Sequence, residues 1–196
     1  MLGLARAVEG WQIDISWKGA VYSTLIHGAV TMKIRTQHMT LGAALMQIAE
    51  HESFTAINPL RLRGDKVTNA FLINTDTCVF LKYGSEPKPT GEYQFTFTTD
   101  QVLAIEEAQE HYRGVFVCLV CVEEQEVCGL EATELHRMIS ARKSTTQDDE
   151  ESYQILITAP AGGRLRTYTN AAGRRGTPAL DPLLITRNRF PAFLFE

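Results

Sequence analysis

Nowhere does the chain run apolar for anything near the roughly 20 residues that a membrane-crossing helix needs, so no membrane partner is expected. The N-terminus meets Arg6 and Glu9 before an apolar stretch of leader length can form. A secretory signal is therefore not expected, and a cytoplasmic address follows by default. Positive charge is also short. The 19 Lys and Arg stand against 23 Asp and Glu, for a net charge of −4, which argues against a whole-surface hold on nucleic acid or anionic lipid. Cysteine is scarce, with Cys78, Cys118, Cys121 and Cys128 alone. In a chain read as not exported, their even number is weak ground for disulfides, and reduced, buried thiols are expected. Absent too are a Gly-x-Ser-x-Gly elbow, a P-loop, a dinucleotide-binding glycine motif and any internal repeat, which removes the best-marked nucleophile and phosphate sites.

What is present is the composition of a folded domain, 44% apolar and 21% charged over 196 residues. That is enough for one core with appendages and too little for two ordinary domains. Short alternating runs between Trp11 and Thr36 suggest N-terminal strands over residues 1–36. Thr40 can cap a helix to about Ser53, with Leu41, Ala44, Leu45 and Ile48 on one stripe. Thr55 to Leu62 reads as a strand that Pro59 confines to an edge, and Arg63-Gly64-Asp65-Lys66 as a turn. Asn69–Asn74 and Cys78–Tyr83, around Thr75-Asp76-Thr77, predict a hairpin. A third strand follows over Tyr93–Thr98, then a helix to His111 with Val102, Leu103 and Ile105 toward the core.

Val115 to Val122 is almost continuously apolar, as a strand buried on both faces should be, with Val127–Leu130 as its partner and Glu131–Ser140 as a helix. Residues 145–152 lack apolar side chains and read as a linker-like loop. Beyond it come strands over Tyr153–Ala159 and Leu165–Thr169 and an apolar tail, Leu183–Phe195, expected to dock back. The expectation is one α/β (α+β) domain over 1–196: a mixed central sheet flanked by helices over 40–140, with β-rich N- and C-terminal additions.

The order helix, strand, hairpin, strand, helix, apolar strand, helix from Thr40 to Ser140, about half the chain, resembles the restriction-endonuclease-like fold of the PD-(D/E)XK nucleases. The resemblance implies an Asp on one strand and a Glu or Gln two residues before a Lys on the next, holding Mg²⁺ and a water through hard oxygen ligands. Here the Lys falls on Lys82, the Glu or Gln position on Phe80 and the Asp position on Asn69. Phe80 cannot ligate a metal. Asp76 in the hairpin loop and Glu50 or Glu52 on the first helix are the carboxylates that could substitute. An active nuclease would therefore use Lys82, Asp76 and Glu50 with Mg²⁺, whereas a degenerate one needs no cofactor.

Cys118-x2-Cys121-x6-Cys128 with His136 downstream has the residue types of a zinc site, but on one strand positions 118 and 121 face opposite ways. Core cysteines are the better expectation. His51 between Glu50 and Glu52 could act as acid or base, though a helix-end surface histidine is the commoner case. From Tyr153 onward Arg164, Arg166, Arg174, Arg175, Arg187 and Arg189 face only Asp181 and Glu196. With Tyr168 and Asn170 they resemble a phosphate-contacting surface; the alternative is a solvated face or a docking surface for an acidic partner. The leading expectation is a catalytically degenerate nuclease-fold module that binds nucleic acid or a partner protein within a larger assembly. An active Mg²⁺-dependent nuclease is the second, and a non-catalytic oligomeric structural protein the third.

Overall fold

The computed structural model describes residues 33–196, apart from 147 and 149. The expected N-terminal strands fall on 1–32, outside the described residues, while Thr36 opens the first helix. Helices are α1 (Thr36–Ala49), α2 (Thr99–His111) and α3 (Ala132–Lys143). Strands are β1 (Ile57–Leu62), β2 (Asp65–Ile73), β3 (Thr77–Gly84), β4 (Glu92–Thr98), β5 (Gly114–Cys121), β6 (Glu126–Glu131), β7 (Ser152–Thr158), β8 (Leu165–Tyr168) and β9 (Leu183–Ile185). A 3₁₀ turn, Ala192–Phe195, follows β9. The class is α+β, as expected.

Two sheets form. Sheet A runs in the order β1-β2-β3-β5-β6, and β3 and β5 are its parallel pair. Sheet B is antiparallel in the order β4-β7-β8-β9. β1 and β2 meet at a two-residue turn, Arg63 at φ 50° and Gly64 at φ 90°, the geometry that carries the right-handed twist through a hairpin. β2 therefore begins at Asp65, so Asp65 and Lys66 belong to the strand and not to the turn. The pairing of β1 with β2 shifts between Pro59 and Arg61, and Asn69 sits beside this bulge at φ 55°, a conformation asparagine tolerates better than most residues.

Side-chain alternation divides β3 between two cores. Val79 and Leu81 face α1 (Leu41, Ala44, Ile48) and the C-terminal tail (Phe190, Phe193, Leu194). Cys78 and Phe80 face α2, α3 and the inner side of sheet B, which supplies Tyr93, Phe95, Phe97, Ile155 and Ile157. β5 is buried on both faces, as its continuous apolar run requires. Two expectations change here. Thr40 lies inside α1, whose N-cap is Arg35, and Leu103 is 54% exposed on the outer side of α2, where Val102, Ile105 and Ala108 make the contact. α2 is fixed instead by a capping box in which Thr98 accepts from the Gln101 N–H and Gln101 accepts from the Thr98 N–H.

Candidate nucleic-acid interface

Asn69, Phe80 and Lys82 line one cleft of about 260 Å³, together with Asp100 and Gln101 from the start of α2. Lys82 is already engaged there. Its Nζ donates to the Thr96 carbonyl at 2.6 Å and to Gln101 Oε1 at 3.0 Å, and lies 4.9 Å from the centre of the Phe97 ring. Burial lowers its pKa. The ammonium thus ties sheet A to β4, the end strand of sheet B among the described residues. Asn69 Oδ1 accepts from Gln37 Nε2 at 2.6 Å.

The substitute carboxylates do not join them. Asp76 belongs to the β2–β3 turn, about six positions or roughly 20 Å of strand from Lys82. Glu50 caps the C-terminal end of α1, on the opposite face of sheet A. Glu52 follows it in the same turn. The cleft offers one carboxylate, Asp100, two amides whose oxygens are already in use, Asn69 and Gln101, and two phenyl rings, Phe80 and Phe97, a donor set that does not fit Mg²⁺. Among the described residues no group of three or more His, Cys, Asp or Glu could hold a metal ion.

The cysteines behave as hydrophobes. Cys118 packs in the core beside α1 while Cys121 and Cys128 pack in the other, because residues three apart on a strand face opposite ways. Burial pushes the Cys78 and Cys128 thiols up to about 12 and those of Cys118 and Cys121 up as well. His136 lies on α3 with Nδ1 3.6 Å from Glu106 of α2, and burial lowers its pKa. His51 stacks on Phe195 at 4.2 Å and accepts from the Ser53 N–H, so its ring helps to dock the tail.

The arginines separate into two groups. Arg187 and Arg189 follow β9 in a turn, so the shared strand face that their spacing would give does not arise. Arg187 pairs with Glu126 at 2.6 Å and donates to the Gly163 and Pro160 carbonyls. Arg189 pairs with Glu134 and Glu131, donates to the Gly129 carbonyl and covers the Phe193 ring at 4.8 Å. Arg142, which the sequence did not single out, holds Glu150 with two nitrogens at 2.6 and 2.7 Å and the Asn170 carbonyl with a third. These three fasten the C-terminal segment to the body.

Arg164, Arg166, Arg174 and Arg175 are exposed, and none has an ion-pair partner among the described residues. Arg166 stands on the outer face of sheet B. Strand pairing there sets Glu92, Thr158, Arg166 and Leu184 in one row, Gln94, Leu156 and Tyr168 in the next, and Thr96 beside Gln154. Arg164 is two residues before Arg166, at the mouth of β8. The Tyr168 hydroxyl donates to Glu92 Oε1 at 2.9 Å, and burial with that carboxylate pushes its pKa up to about 12. Glu92 is the carboxylate of these rows, and that bond, with another from Thr90, engages it.

Arg174 and Arg175 ride on the loop that follows β8. The loop is closed by Ala171 N–H to the Thr177 carbonyl at 2.8 Å, Ala179 N–H to Thr169 at 2.8 Å and Ala172 N–H to Thr145 Oγ1 at 2.9 Å. The two guanidinium groups are therefore carried by a hydrogen-bonded loop backbone. Among the described residues no helix is long and apolar enough to cross a membrane. No protein-family model, curated protein or solved structure matches the chain.

Proposed function

We propose that this chain binds nucleic acid through the outer face of sheet B and the Arg174-Arg175 loop, on a scaffold resembling the restriction-endonuclease-like fold without its metal site. One observation carries the reading. Among the described residues, four exposed arginines accompany a sheet face that no other layer covers, and no acidic partner neutralises them. In a chain of net charge −4, such local segregation favours a polyanion held on one side over general adhesion. The order α1, β1, the β2–β3 hairpin, β4, α2, β5 supports the scaffold half of the reading. The dispersal of Glu50, Asp76 and Lys82 supports its degenerate character.

The test is binding to labelled DNA and RNA across a salt series. Affinity is expected to fall steeply with salt, and replacing Arg164, Arg166, Arg174 and Arg175 together by Ala is expected to flatten the log–log slope by roughly 3. Arg61→Ala, one charge removed from β1, should leave the slope nearly unchanged. Binding that ignores salt, or cleavage that requires Mg²⁺ and disappears in Lys82→Ala, would count against the proposal.

A protein contact is supported by a different surface. From Thr36 to Ala49, α1 has no Asp, Glu, Lys or Arg, and it exposes Met39 at 65% and Met46 at 60%. Uncharged, methionine-bearing faces suit association, with a partner protein or with a second copy. If α1 pairs copies of the chain, Met39→Glu with Met46→Glu shifts the protein to monomer in sedimentation; an unchanged mass for both forms removes this second reading.

A further inference from the structure

The loop with Arg174 and Arg175 does more than carry charge. Between it, the end of α3 and strand β7 lies a cleft of about 300 Å³ lined by Arg142, Gln154, Leu156, Asn170, Arg174 and Arg175, at the small end of ligand-pocket size. We infer that this cleft takes one unpaired nucleobase with its phosphate, so that the ligand of the sheet B face is single-stranded nucleic acid. The inference rests on the nucleic-acid reading and narrows it.

Each wall selects against another ligand. Leu156 is the one buried side chain on the outer face of sheet B among the described residues. It gives the cleft an apolar floor that inorganic phosphate alone would not use. Gln154 and Asn170 add primary amides, which offer both donors and acceptors to the edge of a heterocycle. Asn170 Oδ1 is shut off from solvent with no hydrogen-bond partner among the described residues, a costly state for an amide oxygen that a turn of the side chain toward a guest in the cleft would relieve.

Arg174 and Arg175 stand at the rim with their charge uncompensated among the described residues, which disfavours a purely apolar guest. Arg142 is different. Its charge is met by Glu150 and its remaining nitrogen holds the Asn170 carbonyl, so it is a wall that keeps the cleft open and not an anion ligand. Anion at the rim, flat apolar body inside and polar edge read by amides together describe a nucleotide. A duplex cannot supply one, since its bases are paired and stacked, whereas single strands offer theirs freely.

The sheet continues the path. Tyr168 is the direct neighbour of Leu156 across β7 and β8, and Arg166 adjoins Thr158 in the next row. A strand whose base enters the cleft thus runs over a half-buried tyrosine ring toward Arg166 and Arg164. The ring is fixed by its bond to Glu92, which suits it as a stacking platform.

Fluorescence anisotropy with a labelled oligodeoxythymidine and with the matching adenine–thymine duplex tests this. The single strand should bind at least about tenfold more tightly, the scale of one inserted or stacked base. Arg174→Ala with Arg175→Ala should weaken it about tenfold and flatten the salt slope by about 1.4, at about 0.7 per phosphate contact on a single strand. Gln154→Ala should change the order of affinity among homopolymers of different base without altering that slope. Equal or tighter duplex binding, or loss of binding on replacing Arg164 and Arg166 with none on replacing Arg174 and Arg175, overturns the inference while leaving the face as a nucleic-acid site. Absence of salt-sensitive binding to either probe overturns both.

Discussion

Arginines that look alike in the sequence have opposite roles in the structure, and the difference lies in which carboxylates the fold brings to them. Arg189 holds Glu134 at 2.8 Å and Glu131 at 3.2 Å, donates to the Gly129 carbonyl and lies over Phe193. Arg189→Ala would leave Glu131 and Glu134 facing each other across a partly buried site and remove the cover of an aromatic ring. Losing one partner of such a network costs about 2 to 4 kcal/mol. Arg175→Ala, at an exposed position, should stay within about 0.5 kcal/mol. Urea titration of the two variants checks the contrast, and equal midpoints would return Arg189 to the pool of free cations. No sequence signal separates 187 and 189 from 174 and 175, because their partners lie about 55 to 61 positions away in the chain.

At the scale of elements, the docking of the tail on sheet A depends on a missing side chain. A Cβ on Gly129 would stand 2.5 Å from two ring carbons of Phe193, so β6 needs glycine there for close approach and not for an unusual backbone angle. Gly129→Ala should cost about 1 to 3 kcal/mol as an overpacking change. The same change on a Phe193→Ala background should cost much less, since the ring that clashes is gone. A thermodynamic cycle over the four proteins measures that coupling, and additive costs would mean that the two residues do not meet. The apolar tail was legible as a docking segment from its composition, but its seat against Gly129 was not. The hairpin of β2 and β3, the continuous burial of β5 and the buried stripe of α3 were legible too, since each follows from a local period or turn. What local pattern could not convey was partnership. β4 alternates like a third strand of sheet A, yet it pairs with β7 through Phe95 and Ile155, 60 residues on, and so founds a second sheet. The start of α1 was also hidden, because its N-cap is Arg35, which is not a conventional capping residue. The candidate cleft was hidden for the same reason as β4: Arg142, Gln154, Leu156 and Asn170 come from α3, β7 and the loop after β8.

For the molecule as a whole, the two cores on either side of sheet A share one chemical property, since all four thiols are sealed inside them. Cys78, Cys118, Cys121 and Cys128 each have no exposed surface, and burial pushes Cys78 and Cys128 up to about 12 with the other two raised as well. In the unfolded chain a thiol titrates near 9.0. Above that pH the unfolded chain loses protons that the folded chain keeps, so stability must fall as pH rises. Each thiol contributes about 1.4 kcal/mol per pH unit until its folded pKa is reached. Below pH 9 the thiols add nothing to the slope, because both states hold them protonated. Denaturation midpoints measured from pH 8 to pH 11 should therefore decline, and Cys128→Ala should flatten the decline by about one thiol's share. The companion measurement is reaction with a chromogenic disulfide at neutral pH. All four thiols should react only as fast as the domain opens, and together once it is unfolded. A cysteine that reacts in the folded protein at the rate of a free thiol would show that the core holding it opens independently of the rest.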